Sequence, residues 1–362
     1  MPTNPQSANN ERLPALTGCR FVLALWVMLH HLTNPGQALE PAAQALPPGL
    51  YALIRAGYMA VATFFVLSGF VLTRSYARTP WTGENLARYL VGRLARVYPV
   101  YLLSLAVVAP IILADPTPGR GFFAGAYALL LQGWLGRLPM NWNTPAWSLS
   151  CEMFFYFTFP LAAAFLARAT WRSTLLVAAG ACCLTRALWA VGVSDDIKPL
   201  IHLSDFLMGI AAACAYDLLS KSRRRPSGWW LYVPGCAAGA ALLANPSLLP
   251  RGLDLNTALR PLNALAQIGL GLGGGYLARL LSTRVVVYLG KSSYAMYILH
   301  VPILWWYRRW THSFSPWLYV AAVIAISALV YGVFEEPANR YLRRMWGQSP
   351  NRLSAMGHQP SA

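Results

Sequence analysis

The sequence predicts an all-α fold, a polytopic membrane bundle of about ten transmembrane helices, and three observations carry that reading. Of 362 residues, 56% are hydrophobic and 11% charged, a balance foreign to ordinary soluble domains. Apolar blocks recur along the whole chain, each close to the roughly 20 residues that a helix needs to cross a hydrocarbon core. The remaining charge is mostly basic, net +17, and collects between alternate blocks, as the positive-inside rule describes.

Taken in order, spans are expected near residues 15–33, 56–74, 97–114, 151–168, 174–193, 199–218, 229–246, 262–281, 285–305 and 316–334. The block from Gly121 to Leu135 is short, and crossing or re-entry are both open for it. If it does not cross, the basic segments share one side: Arg74 to Arg96, Arg168 with Arg172, Lys221 to Arg225, Arg279 with Arg284, and Arg340 to Arg352. The opposite loops are charge-poor or mixed, with Glu40, Asp115 and Arg120, Asp195, Asp196 and Lys198, and with Arg308 and Arg309 as the exception. Both termini then face the cytoplasm in a multi-pass protein of the cell (inner) membrane. Residues 1–12 and 345–362 read as cytoplasmic tails flanking a transmembrane domain at 13–344.

The polar start has no basic n-region, so retention of the N-terminus is expected. Six cysteines without a C-x-x-C pair read as buried thiols. The glycines of "GLGLGGGY" from Gly269 have no preceding strand and no following lysine, so they suit close helix packing better than phosphate binding. The basic excess serves orientation and anionic membrane lipid, and no module remains for nucleic acid.

The first block, "GCRFVLALWVMLHHLTN", sets Arg20 and His31 in an otherwise apolar helix. Eleven residues apart, they fall within about 20° of one another around the axis and about 16 Å apart along it, one stripe at two depths. His30 lies about 80° away, toward a neighbouring helix. An ionisable group in a span costs at least about 2.5 kcal/mol and by default serves a function. Taken alone, Arg20 could equally be a topological anchor and His31 an interfacial cap.

Further along stand "FFVLSGF" from Phe64, "R-x-x-R-x-x-P-x-Y" from Arg93 to Tyr101, "W-S-L-x-x-E" from Trp147 to Glu152, "YLGKSSYAMYILHVPI" from Tyr288 and "VFEEPANRYLRR" from Val333. With the basic residue and histidine of the first helix, these segments, in this order, resemble the acyltransferase 3 family of integral membrane O-acyltransferases. The resemblance covers residues 13–344. Two departures are Cys19 and Phe21, which flank the arginine where small or apolar residues are usual, and Thr63, where the family often carries an acid.

The resemblance implies transfer of an acyl group, acetyl in the first instance, from acyl-CoA to a hydroxyl of a carbohydrate or other glycosylated acceptor, with no tightly bound cofactor and no metal. It maps the family's histidine onto His31 and its basic residue onto Arg20. Imidazole is the side chain best matched to taking a hydroxyl proton near neutral pH. Guanidinium groups suit the phosphates of CoA, which points to Arg20, Arg93 and Arg96 for the donor. Glu152 is expected at the depth of His31, where a carboxylate would orient the imidazole; a helix-start acid favoured by the macrodipole is the alternative. Arg93 and Arg96 could instead serve orientation alone. Ser68, Trp147, Ser148, Tyr294 and His300 are candidates for the surrounding pocket, His300 also reading as a packed core residue, and Glu335 and Glu336 as partners for Arg340 or Arg343. The rival classes are a membrane transporter of a small polar or glycosylated solute, against which no inverted repeat is detectable, and a haem protein ligated through His31, His202 or His300.

Overall fold

A computed structural model describes residues 13–77, 79–114, 118–136, 142–166, 170–223, 225–311 and 315–346; their regular structure is helical, with no strand among them. In chain order the principal helices are α1 (Pro14–Leu32), α2 (Pro48–Arg55), α3 (Met59–Tyr76), α4 (Gly83–Leu113), α5 (Arg120–Ala128), α6 (Trp147–Leu166), α7 (Trp171–Ala190), α8 (Leu203–Ser220), α9 (Trp229–Ala244), α10 (Leu255–Leu272), α11 (Gly275–Leu281), α12 (Arg284–Lys291), α13 (Ser293–Trp310), α14 (Pro316–Val330) and α15 (Glu336–Met345). A 3-10 turn at Ala56–Tyr58 joins α2 to α3, and a π turn at Tyr331–Glu335 joins α14 to α15.

Each expected span falls on helix, but the expected count of about ten is not confirmed. Six described helices are long and apolar enough to cross: Pro14–Leu32, Pro48–Tyr76, Gly83–Leu113, Trp171–Ala190, Lys198–Ser220 and Pro316–Met345. Of the other four expected spans, that at 151–168 falls on the 20-residue α6, and three depart from the simple pattern for visible reasons. Trp229–Ala244 is apolar but has only 16 residues. The block at 262–281 is broken where Gly273, Gly274 and Gly275 take φ of 76°, 91° and 76°, values that L side chains resist. The block at 285–305 is broken at Ser292, between α12 and α13. The block at 121–135 holds the nine-residue α5, about 13 Å of rise, and then turns at Leu130 (φ 57°), so it does not cross as a helix. The N-terminal tail, most of the C-terminal tail, Asp115 and Arg168 lie outside the described residues.

Glycines set how closely the bundle closes. A Cβ built on Gly209 would lie 1.9 Å from the Val66 carbonyl oxygen, and one on Gly69 would lie 2.2 Å from that of Phe206, so α3 and α8 touch backbone to backbone. Gly269 and Gly228 meet in the same way, and this is the packing role expected of the glycine run. Gly18 and Gly290 bring α1 onto α12. Around the α3–α8 contact the rings of Phe155 and Phe206 stack at 4.6 Å, with Phe65 edge-on to Phe155. Gly209→Ala is expected to force these helices apart and to cost about 1–3 kcal/mol. The check is the thermal midpoint of the purified protein in detergent, and an unchanged midpoint would mean the contact is not tight.

Candidate active site

α1 reaches from one end of the bundle to the other, and a cavity sits against each end of its Arg20–His31 stripe. The larger, about 440 Å³, is lined by His30 and His31 from the last turn of α1, by Trp147 at the start of α6, by Thr185 and Trp189 late in α7, by His202 and Asp205 around the start of α8, and by Arg260 and Tyr297. The smaller cavity, about 100 Å³, is lined by Arg20, Ser68, Arg93, Arg96, Glu152, Tyr156 and Tyr294.

In the larger cavity His31 Nδ1 lies 2.8 Å from His300 Nε2, with the two rings within 19° of parallel. His300 is 1% exposed, and its Nδ1 lies 2.7 Å from the Tyr297 carbonyl oxygen. His30 turns away, as its angle on the helix requires: its Nδ1 donates to the Arg55 carbonyl at 2.6 Å. Beside it the Trp26 indole donates to the Leu53 carbonyl at 2.8 Å, which folds α2 back onto α1.

The opposite wall holds a buried ion pair. Arg260 Nε donates to Asp205 Oδ1 at 2.8 Å, while its terminal nitrogens donate to the Ala181 carbonyl at 2.9 Å and the Thr185 hydroxyl at 3.2 Å. Asp205 Oδ2 accepts from His202 Nδ1 at 2.8 Å. The His202 ring sits 5.3 Å from Trp147 and 5.0 Å from Phe65, and the Lys198 ammonium lies 5.8 Å from the Trp147 ring centre.

The smaller cavity is a guanidinium site. Arg96 pairs with Glu335 at 3.4 Å, and Glu335 is 2% exposed. Arg93 donates to the Tyr76 hydroxyl at 3.2 Å and lies 5.4 and 5.9 Å from the Tyr76 and Tyr156 ring centres, while its buried Nε has no partner. Tyr156 donates to Glu152 at 2.9 Å, and Tyr294 to the Val97 carbonyl at 2.7 Å. Between the two cavities Phe64, lining the smaller, meets Tyr297, lining the larger, edge to face at 6.1 Å.

Two expectations need correction. Glu152 does not stand beside His31. α6 begins at Trp147, after a 3-10 turn at Thr144–Ala146, so Glu152 lies five residues or about 7.5 Å into the helix and faces the arginines. His300 is buried against His31 and lines neither cavity, which matches its packed-core reading rather than its pocket reading. Glu335 pairs with Arg96 rather than with Arg340 or Arg343, because the π turn carries it inward; Glu336 does pair with Arg340. Of the pocket candidates, Trp147 lines the His31 cavity and Ser68 and Tyr294 the arginine cavity. Ser148 is buried and donates to the Pro145 carbonyl at 3.0 Å, lining neither. Asp205 and Arg260 are not among the sequence-based candidates, and His202 enters there only as a possible haem ligand, although ionisable groups in apolar blocks are the available signal.

An apolar helical bundle with an imidazole in one buried cavity and a guanidinium cluster in another defines a multi-pass membrane protein with ionisable groups inside it. The chain belongs to the acyltransferase 3 family, whose model, described as an acyltransferase domain, matches residues 13–335, and it is an acyltransferase. It is similar to "Acyltransferase MdmB" of Streptomyces mycarofaciens, 30% identical over 382 aligned positions that cover 92% of this chain and 93% of that protein. "Protein 2 in picA locus" of Rhizobium radiobacter is 32% identical over 189 positions, 47% of this chain and 90% of that protein. "Nodulation protein 10" of Rhizobium leguminosarum bv. viciae is 24% identical over 319, covering 77% and 81%. No solved structure matches.

Proposed function

We propose that this acyltransferase moves an acetyl group from acetyl-CoA, held at the arginine cavity, to a hydroxyl of a glycosylated acceptor bound in the His31 cavity. The observation that carries the reading is the pair of cavities at the two ends of the Arg20–His31 stripe, one guanidinium-rich and one imidazole-bearing. His31 takes the acceptor's hydroxyl proton as its oxygen attacks the thioester carbonyl; the C–S bond breaks, and the CoA thiolate leaves and is protonated. The basic end of the bundle faces the cytoplasm of the cell membrane, with both termini on that side, so donor and acceptor approach from opposite faces.

Size supports a divided donor site. A cavity of about 100 Å³ holds the volume of roughly three liquid waters. It is too small for CoA and admits only a short length of its thin arm, with the nucleotide outside, near the basic α15, which carries Arg340, Arg343 and Arg344. The arm then passes the Phe64–Tyr297 contact to bring its thioester to His31. The aromatic lining of the larger cavity, Trp147, Trp189 and Tyr58, suits the apolar face of a sugar ring.

Arg93→Gln removes one donor contact without placing a new carboxylate near Glu335. The apparent KM for acetyl-CoA is expected to rise by about 10- to 100-fold, the loss of one charge-assisted contact, with acceptor KM little changed. Steady-state kinetics in purified membranes tests this, and an unchanged donor KM would return Arg93 to a topological role.

A further inference from the structure

We propose that His300 is a positioning residue that holds the single proton of neutral His31 on Nδ1 and so leaves Nε2 as the basic nitrogen toward the larger cavity. This rests on the reading of His31 as the base. The assignment follows from what each partner can do. A carbonyl oxygen only accepts, so the 2.7 Å contact of His300 Nδ1 with the Tyr297 carbonyl places the His300 proton on Nδ1. A neutral imidazole carries one such proton, so His300 Nε2 is an acceptor. It faces His31 Nδ1 at 2.8 Å, and that nitrogen must then be the donor. His31 Nε2 is left with its lone pair.

The relay runs from His31 Nδ1–H to His300 Nε2, and from His300 Nδ1–H to a backbone carbonyl. It ends on the main chain of the same helix, three residues back, so the last acceptor is fixed by α13 itself. The His300 ring has little room to turn: it is 1% exposed, and its Nδ1 is held on the Tyr297 carbonyl. When Nε2 takes the hydroxyl proton, the imidazolium of His31 keeps Nδ1–H on His300, so the hydrogen bond becomes charge-assisted without rearrangement. Among the described residues no carboxylate partners this pair, whereas the His202 ring is held by Asp205. His31 and His202 are thus held by different means.

The test is nitrogen-15 solid-state NMR of the full chain, labelled at histidine ring nitrogens, in lipid bilayers. The His31 signals are picked out by their loss in His31→Asn. Wild type is expected to show His31 protonated at Nδ1 and bare at Nε2. His300→Gln, which keeps an acceptor where Nε2 stood, is expected to keep that tautomer and most of the activity. His300→Phe is expected to lose the tautomer preference and to lower kcat by about 10- to 100-fold with donor KM unchanged. A wild-type His31 protonated at Nε2 overturns the proposal whatever the variants do, and so does a well-folded His300→Phe that keeps both tautomer and rate. The spectrum judges the positioning role alone; whether His31→Ala still transfers acyl groups judges the base reading separately.

Discussion

His31→Ala is expected to lose acyl transfer by about 10²- to 10⁴-fold, the range over which a positioned general base contributes. A sugar hydroxyl is a weak nucleophile near neutral pH, and His31 is the imidazole at the cavity end of the Arg20 stripe, with its Nδ1 anchored on His300. The assay is transfer from radiolabelled acetyl-CoA in purified membranes at matched protein levels. His30→Ala is the control. Although His30 also lines the cavity, its Nδ1 donates to the Arg55 carbonyl, and its loss loosens α2 rather than removing a base, so most of the activity is expected to remain. Equal loss in two well-folded variants would remove His31 from the chemistry.

Arg260→Leu is expected to be the most damaging single change to stability, about 3–5 kcal/mol, as when one partner of a buried ion pair is removed. Arg260 is 2% exposed and ties three helices: Asp205 of α8, Ala181 and Thr185 of α7, and its own α10. Its removal leaves the Asp205 carboxylate, also 2% exposed, with His202 as its one side-chain partner among the described residues. The double variant Arg260→Leu, Asp205→Leu is expected to recover part of the loss, because no buried charge is then stranded. Unfolding by SDS titration measures both. A loss below about 1 kcal/mol in the single variant would show that water in the cavity screens the pair as it screens a surface pair.

How much of this was legible in the sequence depends on the range of the interaction that fixes each feature. The helical class, the segments and the Arg20–His31 stripe follow from composition and from the 3.6-residue period, which are local. The direction of His30 follows from the same geometry. The break at Gly273 to Gly275 needed three consecutive positive φ values, and the glycine run suggested close packing without revealing that the helix stops there. Glu152 was misplaced because α6 starts four residues earlier than the apolar block, and one turn of helix changes which cavity a side chain enters. His300 as the partner of His31 is a contact across 269 residues, set by how α1 and α13 pack, and no spacing rule reaches that far. Glu335 reads in the sequence as a helix-end partner for Arg340 or Arg343, and the π turn at Tyr331–Glu335 instead carries it inward to Arg96.

The claim that donor and acceptor use opposite ends of the bundle is tested most directly by giving membrane-impermeant radiolabelled acetyl-CoA to sealed vesicles of the two orientations, prepared from cells that make the protein and its own acceptor. Inverted vesicles, which expose the cytoplasmic face, are expected to transfer label to the acceptor, and vesicles carrying His31→Ala are expected not to. Right-side-out vesicles are expected to transfer label only after permeabilisation. Equal labelling by intact right-side-out vesicles would place the donor site at the His31 end and contradict the two-sided mechanism.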